Sequence, residues 1–240
     1  MTQGYFVTGT DTGVGKTMVT ASLALALQKK GKRVGIFKPV ESGVTGADGD
    51  VRFYKKLFSN PASSPANPMS SPGVDRGIHI INSYSFHAPL APLVAARLEK
   101  IEISFKKIQQ DFEQLKTKVD FILVEGAGGL LVPLTPQKTV LDLIALFKLP
   151  AVVVAKQGLG TLNHTLMTLK ILQQHRLPIA GVIFKALSSS LDESASSNES
   201  ILKEFTKVPV LGTFPYLEKI EPLDCLTSGG SEMRHLIKGP

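Results

Sequence analysis

Gly15-Lys16-Thr17 closes a glycine-bounded loop, and these three residue types in a row suit the binding of a phosphate chain. The loop follows an apolar run, Tyr5, Phe6 and Val7, and leads into the segment MVTASLALALQKK, read as an amphipathic helix. A strand, a glycine loop and a helix start in that order make the setting of a P-loop. Backbone N–H groups of Gly13, Val14 and Gly15 and the helix N-terminus would converge on phosphate oxygens. Lys16 adds a mobile positive charge, and Thr17 is placed to offer its hydroxyl to Mg²⁺. The spacing departs from the usual four residues, because the five residues TDTGV separate Gly9 from Gly15.

Other candidates lie at the ends of apolar runs. Lys38 follows RVGIF and precedes Pro39, which stiffens the exit; a lysine there is commonly just exposed, but a second cation converging on a phosphate loop favours function. Glu125 ends VDFILVEG, and a buried carboxylate without a cation costs several kcal/mol. Mg²⁺ held by Thr17 and Glu125, with Asp50 as a third oxygen donor, would satisfy it. Asp50 is the weakest of these, since Asp48 lies two residues away and loop carboxylates are commonly only solvated. Gly158 and Gly160, before Thr161-Leu162-Asn163, make either a second anion-binding helix start or an ordinary strand-to-helix turn. The histidines, His79, His87, His164, His175 and His235, show no metal-ligand spacing, and no catalytic histidine is assigned.

These residues must be positioned by the elements between them. Strand-like runs are RVGIFKPV, IHIINSYSF, DFILVEGAGG, PAVVVAKQGLG, PIAGVIFK and PVLGTF. Helical patterns are VRFYKKLFS, a short segment after Pro92, SFKKIQQDFEQLKTKV, TLNHTLMTLKILQQH and residues near Ser194 to Thr206. Phe105, Ile108, Phe112 and Leu115 share one face of the third of these, with Ser104 at the N-cap position. Near-continuous Val/Ile/Leu strands alternating with helices predict a three-layer α/β fold, a mostly parallel sheet with helices on both faces. Ligands in such sheets gather at the carboxyl ends of the strands. Residues 60–77, rich in proline and serine, read as a long surface loop. One domain over residues 1–222 and a less ordered polar tail over 223–240 are expected.

A chain of 240 residues can bury a large core, and its 43% hydrophobic and 20% charged residues are ordinary globular usage. The net charge of +7 comes from scattered Lys and Arg, with no basic run interleaved with aromatics, so nucleic acid is not expected as a partner. A single cysteine, Cys225, excludes an intrachain disulfide and a Cys-based zinc cluster. The apolar run begins at once, leaving no room for a signal peptide, and no segment reaches the roughly 20 apolar residues of a membrane span. A cytoplasmic protein without membrane contact is expected.

GTDTGVGKT, then KPVESG (Lys38 to Gly43), then VEGAGG (Val124 to Gly129), in this order, resemble the dethiobiotin synthetases. The likeness continues through GLGTLNH (Gly158 to His164) and LGTFPYL (211–217), so it covers nearly the whole chain and accounts for the five-residue glycine spacing. It implies an ATP- and Mg²⁺-dependent ring closure. In that family 7,8-diaminononanoate takes up CO₂ as a carbamate, which attacks the γ-phosphate to give a carbamic–phosphoric anhydride. The second amine then closes on that carbon. By this resemblance Lys16 neutralises the transferring phosphoryl group and Lys38 sits between carbamate and γ-phosphate. Thr12 and Ser42 line the diamine site, and Thr17, Asp50 and Glu125 hold the metal. Gly160 and Asn163 match an element that receives the substrate carboxylate from the partner subunit, so a homodimer is implied.

One position departs from that pattern. The family often carries asparagine after the strand corresponding to AGVIF, where its amide reads adenine, and this chain has Lys185. An ammonium donates but cannot accept. Relaxed base selectivity is therefore expected, unless backbone groups near Phe214 and Pro215 read the base. Two rivals share the nucleotide domain. A partitioning-type ATPase switch commonly carries aspartate where VEGAGG has glutamate, and it gives no reason for KPVESG. A cobyrinate-type amidoligase needs a glutaminase domain with a nucleophilic cysteine, for which this chain has no room.

Overall fold

A computed structural model describes residues 3–46, 48–58, 77–190 and 193–216. Residues 60–76 of the expected loop over 60–77, the tail over 223–240, Leu217 and Cys225 lie outside these.

Among the described residues, seven strands form one sheet, β1 (Gln3–Gly9), β2 (Val34–Ser42), β3 (Ile78–Phe86), β4 (Phe121–Gly129), β5 (Ala151–Lys156), β6 (Ile179–Lys185) and β7 (Val210–Phe214). Their order is β3-β2-β4-β1-β5-β6-β7, and every neighbouring pair is parallel. Alternation of side chains splits the apolar residues into two cores. Phe6, Ile122, Val124, Val153 and Phe184 face one, while Tyr5, Val7, Leu123, Val152 and Ile183 face the other. Helices α1 (Lys16–Lys29) and α2 (Asp50–Phe58) supply residues to the second core. Helices α3 (Pro92–Leu98), α4 (Phe105–Lys116), α5 (Val140–Phe147), α6 (Thr161–Gln174) and α7 (Ala195–Phe205) supply the first. This is the three-layer arrangement that the strand composition predicts.

Several local expectations hold and some do not. Ser104 caps α4 by accepting from the Lys107 N–H at 3.3 Å. Helix α1 is not amphipathic: Val19 through Leu25 are all buried, polar Thr20 and Ser22 included. Helix α5 was not anticipated. Its capping box, in which the Asp142 carboxylate accepts from the Thr139 N–H at 2.7 Å, marks the start. Strand β2 does not end at Val40 but runs on through Glu41 and Ser42, and β4 includes the glycines after Glu125.

Those extensions shape the site. β2 pairs with β4 as far as Phe37↔Val124, while its pairing with β3 continues to Ser42↔Phe86. Pro39, lacking an N–H, lies just past the point where β2 and β4 part. On the other side of β4, pairing with β1 runs to Val7↔Glu125 and then shifts register before Gly9↔Gly129. Glu125 therefore stands where β4 separates from both neighbours, and the space opened there is filled by charged side chains.

Candidate active site

The P-loop spans β1 to α1, at the centre of the sheet. Gly15 adopts φ 92° and φ at Gly13 is 72°, both in the region that favours glycine. Lys16 is buried and turns back across the loop, donating to the Asp11 carbonyl at 3.0 Å. Burial, helped by the nearby Lys38 charge, lowers its pKa to about 8 against the pull of Glu125, Asp50 and Asp11. The Thr12 N–H donates to the Asp11 carboxylate at 2.7 Å, and Val14 packs into the core beneath.

Across the loop, Lys38 Nζ lies 2.6 Å from Asp50 Oδ2 and 2.8 Å from Glu125 Oε1, and it donates to the Gly126 carbonyl at 3.1 Å. Lys38 is 3% exposed and Glu125 wholly buried, so the pair forms in the interior. Burial alone would lower the Lys38 pKa, but the two carboxylates outweigh it and raise it. Asp50 is held below the usual carboxylate range despite its own burial, chiefly by Lys38. Thr17 Oγ1 sits between the same two acids, 2.8 Å from Asp50 Oδ1 and 3.0 Å from Glu125 Oε1.

Among the described residues no trio of His, Cys, Asp or Glu side chains is placed to hold a metal. The set present is two carboxylates, each with an oxygen within 3.0 Å of the Thr17 hydroxyl. All are hard oxygen donors, few in number, as suits Mg²⁺ that also keeps water and phosphate oxygens. The donor chemistry fits that ion.

Two contributors were missed by the sequence reading. Tyr54, four residues after Asp50 and fully buried, donates its hydroxyl to Glu125 Oε2. Burial, then the Glu125 charge, pushes its pKa well above that of an ordinary phenol, so it keeps its proton. The i,i+4 spacing in DVRFY was the available signal. Glu41, buried in KPVESG, accepts from the Val51 N–H at 3.2 Å and the Ser85 hydroxyl at 2.7 Å, fixing the start of α2.

Thr12, Gly13, Gly15, Lys16, Thr17, Lys38, Ser42, Asp50 and Glu125 all line one cavity of about 740 Å³. Gly160 and Asn163 do not; both are exposed at the open start of α6, beside Leu159 at 80% exposure. Lys185 is buried at the end of β6, donating to the carbonyls of Ala186 at 2.6 Å and Pro215 at 2.7 Å. Its stem lies against the P-loop, since a Cβ on Gly15 would meet Lys185 Cγ at 2.8 Å. A separate cleft of about 630 Å³ between α3, α4 and residues 134–138 bears Arg97, Lys100 and Lys138 but no glycine loop.

A family model described as an AAA domain matches residues 3–223. The ATP-dependent dethiobiotin synthetase BioD of Thermodesulfovibrio yellowstonii is 37% identical over 228 residues, 92% of this chain and 91% of that protein. The chain belongs to the ATP-dependent dethiobiotin synthetase family. The Bacillus subtilis strain 168 synthetase is 35% identical over 220 residues, 91% of this chain and 89% of its own length. Among solved structures, a putative plasmid partition protein from Borrelia burgdorferi bound to AMPPNP superposes with a TM-score of 0.61. It is 15% identical, with 99% of this chain and 98% of that one covered, so it shares the fold alone. This chain thus shares the fold of that partition protein, while its sequence likeness is to the synthetases.

Proposed function

We propose that this protein closes the ureido ring of dethiobiotin from 7,8-diaminononanoate, CO₂ and ATP, releasing ADP and phosphate. The observation that carries the reading is the meeting of Lys16, Lys38, Thr17, Asp50 and Glu125 around one cavity, in a chain of this family. One amine takes CO₂ as a carbamate. A carbamate oxygen attacks the γ-phosphorus and ADP leaves, giving the carbamic–phosphoric anhydride. The second amine then attacks the carbonyl carbon and phosphate departs with the bridging oxygen.

The chain's own residues bring the anions together. Carbamate and γ-phosphate at about 4 Å repel by roughly 4 kcal/mol at an effective dielectric near 20. Lys38 offsets that repulsion and Lys16 neutralises the transferring phosphoryl group. Lys38 now gives its donors to Asp50, Glu125 and the Gly126 carbonyl, so it must turn from the carboxylates to reach both ligands. Asp50, Glu125 and Thr17 are then free to hold Mg²⁺, which supplies charge neutralisation at the phosphates. Thr12 and Ser42 border the diamine, and the P-loop N–H groups of Gly13, Val14 and Gly15 receive the phosphates.

The substrate carboxylate fits the exposed start of α6 at Gly160 and Asn163 in a second copy, making a homodimer with its sites at the interface. Residues 1–222 act as one unit, in the cytoplasm, without nucleic acid or membrane as partners. Lys185 and the Pro215 carbonyl border the base. Phosphate release from Mg·ATP and bicarbonate, with and without the diamine, tests the reading. Diamine-dependent phosphate and a product whose mass includes the new carbonyl are expected; ATP turnover indifferent to the diamine would remove it.

A further inference from the structure

Helix α2 presents two polar side chains to the site from one face, Asp50 in its first turn and Tyr54 one turn later. Asp50 grips Thr17 and Lys38 through its two oxygens. Tyr54 reaches past them to the far side of Glu125. The Glu125 carboxylate is thereby divided: Oε1 faces Thr17 and Lys38, and Oε2 takes the Tyr54 hydroxyl. Glu125 has no exposed surface, so no bulk water can replace that donor. The ring itself is clamped, stacked on Phe58 at 6.3 Å and tilted against Phe53 at 5.8 Å. The start of α2 is fixed in turn by Glu41 through the Val51 N–H.

We propose that Tyr54 is a positioning residue for the metal-binding carboxylate, locking Glu125 so that Oε1 alone points into the cavity. The proposal rests on the reading of Thr17, Asp50 and Glu125 as the Mg²⁺ ligands. Without the hydroxyl, Oε2 is left buried and unpaired, and the carboxylate rotates to share both oxygens with Lys38. That rotation removes an oxygen from the metal and ties Lys38 more firmly away from the substrates. Hydrogen-bond partners behind a metal ligand commonly govern affinity by ten- to hundredfold.

The test is a Mn²⁺ titration of the ATP-bound protein, followed by the electron paramagnetic resonance of free Mn²⁺, for wild type, Tyr54→Phe and Glu125→Gln. Phenylalanine keeps the ring and its stacking. Tyr54→Phe is expected to weaken Mn²⁺ by about tenfold, while ATP affinity measured in excess chelator changes less than twofold. Glu125→Gln should weaken Mn²⁺ by more. Thermal unfolding without metal accompanies each variant, because a hydroxyl that serves packing alone would lower the midpoint and leave Mn²⁺ affinity untouched. Unchanged Mn²⁺ affinity in Tyr54→Phe, with Glu125→Gln impaired, overturns the positioning role. Unchanged affinity in Glu125→Gln overturns the metal-ligand reading, and the proposal falls with it.

Discussion

Lys38 and Glu125 face each other where β2 parts from β4, and each is buried with the other as its principal counter-charge. Lys38→Ala should therefore abolish the bridge between carbamate and γ-phosphate while leaving the P-loop intact. A fall in kcat of about 10²–10³ is expected, the usual effect of removing one donor aimed at developing charge. Nucleotide affinity in chelator should stay within a few-fold; steady-state kinetics and a binding titration separate the two. Lys16 carries a pH signature. Its pKa near 8 in the free protein must rise when phosphates bind, because an anion favours the ammonium. ATP binding should take up a proton above pH 8 and weaken there by up to about tenfold per pH unit, with little change below pH 7. Calorimetry in buffers of different ionisation enthalpy measures that uptake. For stability the sign differs. The folded pKa lies below the ordinary lysine value of 10.5, so the unfolded chain holds more protons between them and Lys16's contribution to stability rises over that interval.

At the scale of elements, the strands were legible because apolar runs bounded by glycine and proline have few other readings. Glu125 was legible for the same reason, since it ends such a run, while Lys16 and Thr17 were legible from the glycine loop that they close. Helix α5 was not, because VLDLIALF is as apolar as a strand, and only the Thr139–Asp142 capping box distinguishes it. The i,i+4 spacing put Tyr54 on the face of Asp50, but its partner Glu125, like the Val51 partner of Glu41, lies on another element, which spacing along one element does not name. Lys185 shows the same limit. Sequence suggested a place by the base, and the structure adds that its ammonium links the ends of β6 and β7 through two carbonyls while its stem lies against Gly15. Two of its three donors are thus taken, leaving one for a base and no acceptor. A lost hydrogen bond costs about 0.5–1.5 kcal/mol, a two- to twelvefold loss of affinity. ATP, GTP and CTP should accordingly support kcat/KM values within a hundredfold of one another. A stronger preference for ATP would assign base reading to other groups.

For the whole molecule, the cavity is lined by the glycine loop and by both buried lysines, Lys16 and Lys38, but by neither Gly160 nor Asn163. If a second copy supplies these, variants defective on opposite sides should complement. Lys38→Ala and Asn163→Asp, each impaired alone, should on mixing and re-equilibration recover about a quarter of wild-type activity, as half the dimers then carry one intact site. No recovery, with mixed dimers shown to form, would place the carboxylate site within one subunit. Among the described residues no helix is long and apolar enough to cross a membrane. The central claim concerns a bond: a carbamate oxygen becomes a phosphate oxygen. The most direct measurement supplies freshly dissolved C¹⁸O₂ with unlabelled ATP and water, and reads the released phosphate by mass over times short against exchange. One ¹⁸O in each phosphate is the expected result. Phosphate free of label would mean that water, not carbamate, attacks the γ-phosphorus, and would contradict the ring-closing role of Lys38 and its cavity.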